Sequence, residues 1–319
     1  MRKEYSLSGG YFSQKKILKA IDGVDLSINR GDTIGIVGES GAGKTTLGRL
    51  ILRLIRPTAG SVEYDGKDII RLAGRELEEF RKKAQIVFQS PFLSLNPSIK
   101  IFDTLAEPMR YHKIVDSKES AKSRVKDLLN LVGLDDGFLG RYPHELSGGQ
   151  MQRIAIARAL SVEAEFLVFD EPTSSLDVSA QGQILNLIRT LKNKLNLTYL
   201  FVSHNLAIVS NVCSKVGVMY AGKMVELANT DQFFTDPKHP YSQILLNSIL
   251  TPQMYGKGER ALPKGEPPSL VHPPDGCRFH PRCPQAMPLC SQREPKLANL
   301  DNTRKAACFL YPEVMVASN

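Results

Sequence analysis

The 319-residue sequence predicts an α/β fold built on a largely parallel sheet. Three observations predict it. Short apolar runs at 33–37, 86–88, 166–169, 199–202 and 216–219 read as buried strands. Stretches of helical period fall between them: Ala121, Val125, Leu128, Leu129 and Val132 share one face, as do Ile184, Leu185, Ile188, Leu191 and Leu195. A glycine-rich loop joins the first strand to a helical stretch at 46–54. Asp116 with Glu119 predicts a capping box ahead of the 121–132 helix. The segment 61–69, turning at Asp65-Gly66, predicts an antiparallel hairpin near the amino end.

Apolar residues make up 42% and charged residues 23%, an ordinary globular balance with enough chain to bury a core. No apolar run approaches the ~18–20 residues of a membrane-spanning helix. The opening Met1-Arg2-Lys3-Glu4-Tyr5 lacks the apolar stretch of a secretory signal. The expectation is a chain kept inside the cell, acting at a membrane only through partner chains. Forty-one Lys and Arg against 33 Asp and Glu give +8, which suits acidic ligands, anionic lipid or nucleic acid and selects none of them. Thirteen of the 19 prolines and four of the five cysteines follow residue 236. This predicts a regular domain over 1–235 and a loop-rich one over 236–319, held together by something other than a large core.

Three motifs carry chemistry. Gly38-Glu39-Ser40-Gly41-Ala42-Gly43-Lys44-Thr45 satisfies G-x-x-x-x-G-K-[ST] between a strand and a helix that opens near Thr46. Its glycines let backbone N–H groups converge on phosphates, Lys44 reaches the β and γ phosphates, and Thr45 holds Mg²⁺. The run at 166–169 delivers Asp170 and Glu171 to a strand end. Asp170 is placed for the magnesium shell and Glu171 to orient or deprotonate an attacking water. Leu146-Ser147-Gly148-Gly149-Gln150 precedes a helical run at 151–160 and makes a second anion cradle. Two such cradles reach one nucleotide from opposite sides most readily when two chains supply them.

In their order these motifs resemble the ATP-binding cassette (ABC) ATPases, together with Gln89 after a strand, Ser174-Ser175-Leu176-Asp177, and His204 after a strand. The resemblance implies a P-loop NTPase cassette: a RecA-like core, an antiparallel β subdomain and a helical subdomain at about 97–160. It implies that two cassettes pack head to tail, with the phosphate loop of one and the signature of the other sandwiching each ATP. By the same resemblance Gln89 joins the Mg²⁺ and γ-phosphate side and links to membrane subunits. Asp177 couples the two sites, His204 contacts the γ-phosphate and positions the water, and Tyr11 or Phe12 stacks on adenine. Asn205 stands where the family often has Asp, and Ser175 where it often has Ala; neither removes a group needed for hydrolysis.

A narrower resemblance covers nearly the whole chain. The segment 88–97, Tyr142-Pro143-His144-Glu145, His239-Pro240-Tyr241 with Leu245-Leu246, and the tail Gly276-Cys277-Arg278-Phe279-His280-Pro281-Arg282-Cys283-Pro284 are similar to the ATPases of oligopeptide, dipeptide and nickel importers. Gly48-Arg49 leans toward their second, F-type ATPase. The resemblance implies a different chain as partner cassette, two membrane permease subunits, an extracytoplasmic solute-binding protein, and a place on the cytoplasmic face of the membrane.

The tail cysteines run Cys277-x5-Cys283-x6-Cys290-x17-Cys308. Disulfides disagree with a reducing compartment. Zinc accepts four thiolates but usually through short C-x2–4-C knuckles. A [4Fe–4S] cluster accepts wider spacings, and the resemblance to the importer tail implies one. Cys213 reads as a small buried apolar residue. Two further readings compete with an importer ATPase. A soluble ABC ATPase acting on nucleic acid or ribosomes usually carries a long insertion or two cassettes, whereas Leu146 lies only 57 positions after Gln89 and there is one cassette. An iron–sulfur electron carrier regulated by ATP sits poorly with a complete hydrolytic set.

Overall fold

The computed structural model describes residues 1–7, 16–248 and 265–318. The chain divides into two compact units. Unit 1 gathers Met1–Ile28, Thr33–Ile70 and Val202–Asn319; unit 2 gathers Asn29–Asp32 and Arg71–Phe201. Among the described residues no helix is long and apolar enough to cross a membrane.

Unit 1 opens with β1 (Arg2–Leu7) and β2 (Lys16–Asp22), an antiparallel pair. Next come β3 (Thr33–Val37), every residue of which is buried, and α1 (Lys44–Ile51). A strand buried on both faces is written as a continuous apolar run, which is why β3 was legible from sequence. The helix starts at Lys44, two residues before the predicted stretch, because the phosphate loop feeds directly into its first turn. The hairpin of β4 (Glu63–Tyr64) and β5 (Lys67–Asp68) turns at Asp65 and Gly66, both with positive φ, as a two-residue turn of its twist requires.

Unit 2 runs α2 (Gly74–Lys83), β6 (Ala84–Val87), α3 (Pro91–Ser94), α4 (Ile101–Tyr111), α5 (Lys118–Leu131), α6 (Gly148–Leu160), β7 (Phe166–Asp170), α7 (Val178–Leu195) and all but the last residue of β8 (Thr198–Val202). Its strands are ordered β8-β7-β6, with β6 and β7 parallel. Ala121, Val125 and Leu129 form the buried face of α5. Its capping box lies one residue beyond the predicted pair. Ser117 Oγ accepts the Ser120 N–H at 3.1 Å, Ser120 Oγ accepts the Ser117 N–H at 3.2 Å, and Asp116 takes the Ser120 hydroxyl instead. On α7, Ile184, Ile188 and Leu191 of the predicted face are buried and Leu185 is half-buried, but Leu195 in the last turn is exposed, and Leu187 takes a buried place.

Unit 1 then resumes with α8 (Leu206–Val212), β9 (Lys215–Tyr220), β10 (Lys223–Asn229), α9 (Thr230–Thr235), α10 (Pro240–Asn247), α11 (Pro288–Gln292), β11 (Ala298–Asn299), β12 (Lys305–Ala306) and α12 (Pro312–Ala317). Its strands are ordered β11-β12-β10-β9-β3. β3 and β9 are parallel, whereas β9, β10, β12 and β11 pair antiparallel, so the sheet is mixed rather than largely parallel. The short tail strands, two residues each, were too brief to carry a sequence pattern. The tail does not separate as a unit of its own. It adds strands to the edge of the unit 1 sheet and keeps a small apolar cluster of Cys290, Ala298, Phe309 and Val314.

Two local devices shape the ends of elements near the phosphate loop. Gly43 caps α1 at φ +102°, and a Cβ there would lie 2.5 Å from the Ala20 carbonyl oxygen. Asn205 caps α8 by accepting the N–H groups of Ala207 and Ile208 at 3.0 and 3.4 Å. Asn and Asp serve equally as such caps, which explains why Asn is tolerated there. Asn205→Asp should therefore alter unfolding free energy by a few tenths of a kcal/mol, and Asn205→Ala should cost about 1 kcal/mol, read from denaturant midpoints. Gly43→Ala should cost more than about 2 kcal/mol by the same measurement, through clash and left-handed strain together.

Candidate functional site

The phosphate loop belongs to unit 1. Burial of β3 fixes its first end, and the turn into α1 fixes the second. Gly38 leaves β3 at φ +148°, where a Cβ would stand 2.1 Å from the Met219 carbonyl oxygen, so only glycine fits against β9. Lys44 is buried to 6% exposure, and its ammonium donates to the carbonyls of Gly38 at 2.9 Å and Glu39 at 3.0 Å. The lysine is thus folded back across the mouth of the loop that its own backbone forms. Its cation and the positive end of the α1 helix make this concavity favourable for an anion. Thr45 and Thr46 follow within α1. His204, also in unit 1, is exposed just after β8 and just before the Asn205 cap. Tyr11 and Phe12, expected to stack on adenine, lie outside the described residues.

Glu39, inside the loop, has partners that the sequence reading did not assign. Its N–H donates to the Tyr241 hydroxyl at 2.8 Å. Its carboxylate takes both terminal nitrogens of Arg282, at 2.9 and 3.1 Å. Arg278 is buried and donates to the Asp22 carboxylate and the Ala221 carbonyl. Both arginines belong to the tail motif at 276–284, whose pattern alone assigns them no role. The available signal was their position: two cations in the five residues between Cys277 and Cys283, with no acid among them.

The acidic strand end and the second cradle belong to unit 2. β7 is buried throughout and carries Asp170, itself only 5% exposed, to its last position. Glu171 follows at φ +48°, a left-handed conformation that costs a residue with a side chain of order 1 kcal/mol. Its carbonyl accepts both the N–H and the hydroxyl of Ser174, at 3.2 and 3.1 Å, which holds the turn in place. Its carboxylate accepts the Gln89 side-chain amide at 3.2 Å, and the Ser175 hydroxyl donates to the Gln89 carbonyl at 3.4 Å. Gln89, Glu171 and the 174–177 loop therefore come together. Asp177 caps α7, its carboxylate accepting the Ala180 N–H at 2.9 Å.

At the signature, Ser147 and Gln150 cap α6 reciprocally. Ser147 Oγ accepts the Gln150 N–H at 3.3 Å, and Gln150 Oε1 accepts the Ser147 N–H at 3.0 Å. The side chains of this cradle are thus spent on helix capping, and the N–H groups of Gly148 and Gly149, in the first turn, have no partner within the helix. A Cβ on Gly148 would come within 3.1 Å of Leu176, so the signature also packs on the 174–177 loop.

The described residues of the tail do not show the expected four-cysteine metal site. Among the described residues no group of three or more His, Cys, Asp or Glu side chains is set to hold a metal ion. Cys277, Cys283, Cys290 and Cys308 do line one tight cavity of about 10 Å³, with Phe279 and Phe309 as walls. Burial pushes the Cys277 thiol up to about 12 and that of Cys308 up to about 11, and repulsion among the neighbouring thiolates adds to both. Four thiols around one apolar cavity match the donor set of an iron–sulfur cluster or zinc, and anything larger than a water would require them to move outward. His239, fully buried beside them, is held neutral by burial, which takes its imidazole down to about 3, and its Nδ1 accepts the Tyr241 N–H. Cys213 is buried, and burial pushes its thiol far up, as a packing residue requires.

Comparison with known proteins places this geometry. The ABC transporter family pattern matches residues 21–174, and the pattern of the oligopeptide/dipeptide transporter C-terminal region matches 225–290. The chain is 46% identical to the oligopeptide transport ATP-binding protein AppF of Bacillus subtilis, over 98% of this chain and 95% of that one. It is 43% identical to the dipeptide transport ATP-binding protein DppF of Haemophilus influenzae, over 97% and 94%. Among solved structures it resembles the dimeric structure of MJ0796, a bacterial ABC transporter cassette, at a TM-score of 0.63 and 27% identity, over 72% of this chain and 97% of that one. The alternative of an ATPase acting on nucleic acid or ribosomes draws no support from these relatives. The chain belongs to the ATP-hydrolysing, ATP-binding subunits of ABC transporters, in the branch of the oligopeptide/dipeptide transport ATP-binding proteins.

Proposed function

We propose that this chain powers uptake of di- or oligopeptides, or related solutes, by hydrolysing ATP against a second cassette on the cytoplasmic face of a membrane. The observation that carries this reading is the phosphate loop, with Lys44 folded across it. Residues 38–46 bind the ATP phosphates, and Lys44 meets the β and γ groups. Leu146, Ser147, Gly148, Gly149 and Gln150 face the nucleotide of the opposing cassette. Residues 174–177 meet that cassette, where Asp177 couples the two sites. Residues 236–319 serve as an accessory region of the 1–235 cassette.

Thr45, Gln89 and Asp170 would hold Mg²⁺, which neutralises charge on the transferring phosphate. Glu171 accepts the proton of the attacking water, and Gln89 orients the carboxylate through the contact at 3.2 Å. His204 positions the same water and steadies the γ-phosphate. Binding draws the cassettes together, hydrolysis releases them, and that cycle moves the membrane subunits.

Membrane partners are supported by the surface beside Gln89. Phe92 and Leu93 are 56% and 86% exposed, and a cleft of about 360 Å³ lined by Phe88, Asn96 and Pro108 opens nearby in unit 2. The set is two permease subunits and an extracytoplasmic solute-binding protein, with a different chain as second cassette and this chain as the F-type member. The four tail cysteines would hold a [4Fe–4S] cluster as a structural staple, with zinc as the competing occupant; the four-thiol cavity supports this reading.

Glu171→Gln should lower Mg²⁺-dependent ATP turnover by roughly 100-fold or more while leaving ATP bound in a trapped dimer. Retained wild-type turnover would remove Glu171 as the base. Protein purified without oxygen should be brown and carry about four iron and four sulfide per chain. Stoichiometric zinc without iron would replace the cluster assignment.

A further inference from the structure

A carboxylate inside a phosphate-binding loop is electrostatically adverse unless something neutralises it. Glu39 is such a residue, and Arg282 of the cysteine-rich tail meets it through two parallel N–H···O contacts at 2.9 and 3.1 Å. The Arg282 side chain is only 7% exposed and that of Glu39 25%, so this pair is screened less than a surface ion pair. Arg282 also donates to the Tyr220 hydroxyl at 3.1 Å, and the Tyr220 ring packs edge-on against Tyr241 and Phe279. Tyr241 in turn receives the Glu39 N–H, while the Glu39 carbonyl receives Lys44 and the Ala42 N–H. Every polar group of Glu39 is therefore tied down.

Arg278, four residues earlier, holds the Ala221–Gly222 turn through the Ala221 carbonyl, and the Gly222 N–H donates to the Ala42 carbonyl at 3.0 Å. One short tail segment thus reaches the phosphate loop twice: directly at Glu39 and through the β9–β10 turn at Ala42.

We propose that Arg282 is a positioning residue for the nucleotide: from the cysteine-flanked loop it cancels the charge of Glu39 and holds the phosphate loop in its binding shape. The tail would then contribute to ATP affinity as well as to folding. This rests on residues 38–46 being the nucleotide cradle and goes beyond that reading, because the residue invoked lies far outside the motif. Arg282 acts on the nucleotide through Glu39.

The test is titration of the purified full-length chain with ATP and ADP, by competition with a fluorescent nucleotide. Arg282→Met should weaken ATP binding roughly ten-fold and ADP binding less, since the uncancelled carboxylate repels the more charged ligand more strongly. Arg282→Lys, which keeps the charge and loses the fork, should fall between wild type and Arg282→Met. In a Glu39→Gln background, Arg282→Met should change ATP affinity by less than about two-fold, because the charge it cancels is gone. Unchanged ATP affinity in Arg282→Met, even with a lowered melting temperature, would overturn the proposal. So would an equal loss in the Glu39→Gln background. Lys44→Ala should abolish binding in the same titration. Wild-type affinity in that variant would strike down the cradle reading and this inference with it, so the two can be told apart.

Discussion

A phosphate loop has to expose its backbone N–H groups, so it cannot bury itself for stability, and unit 1 is organised around that constraint. β3 is buried to its last residue, so the loop departs from a fixed point. The Met219 carbonyl and the Ala20 carbonyl approach so closely that glycine is obligatory at both ends of the turn. The ammonium of Lys44 closes on the loop's own carbonyls, and the tail arginines brace it from the side. The loop is rigid because its neighbours are, and preorganised donors bind an anion without having to order themselves first.

Unit 2 solves a different problem. Two carboxylates stand at the end of one strand there and have to be held in fixed directions. Here β7 delivers Asp170 buried, and the chain then bends through a left-handed Glu171 that two contacts from Ser174 hold in place. Backbone strain at a residue with a side chain is retained where the surroundings over-determine it. The same small region carries the Gln89 contact, the Asp177 cap and the packing of Leu176 on the signature glycine. A change at any one of these is therefore felt by the others.

The sequence displayed whatever is local. Strands β3 and β7 were visible because burial on both faces demands unbroken apolar runs, and the phosphate loop because its glycine spacing has a backbone reason. Helix faces were right in their interiors and wrong at Leu195, where the last turn of α7 runs out of neighbours to pack against. The α5 cap was displaced by one residue, since Asp116, Ser117 and Ser120 all reach the same backbone groups and only packing chooses among them. The contact of Arg282 with Glu39 was invisible because 243 positions separate the two, and neither residue carries a pattern that names the other. The tail looks like an appendage in sequence because its strands are too short to signal, yet β12 pairs with β10 within unit 1.

The most direct measurement of the central claim is solute uptake by the whole importer. The cassette pair, permeases and binding protein would be reconstituted in liposomes loaded with Mg²⁺-ATP on the cassette side and supplied with a labelled peptide outside. The account predicts peptide accumulation that requires ATP and disappears when this chain carries Lys44→Ala. Accumulation at the wild-type rate with that variant, or without ATP, would contradict it.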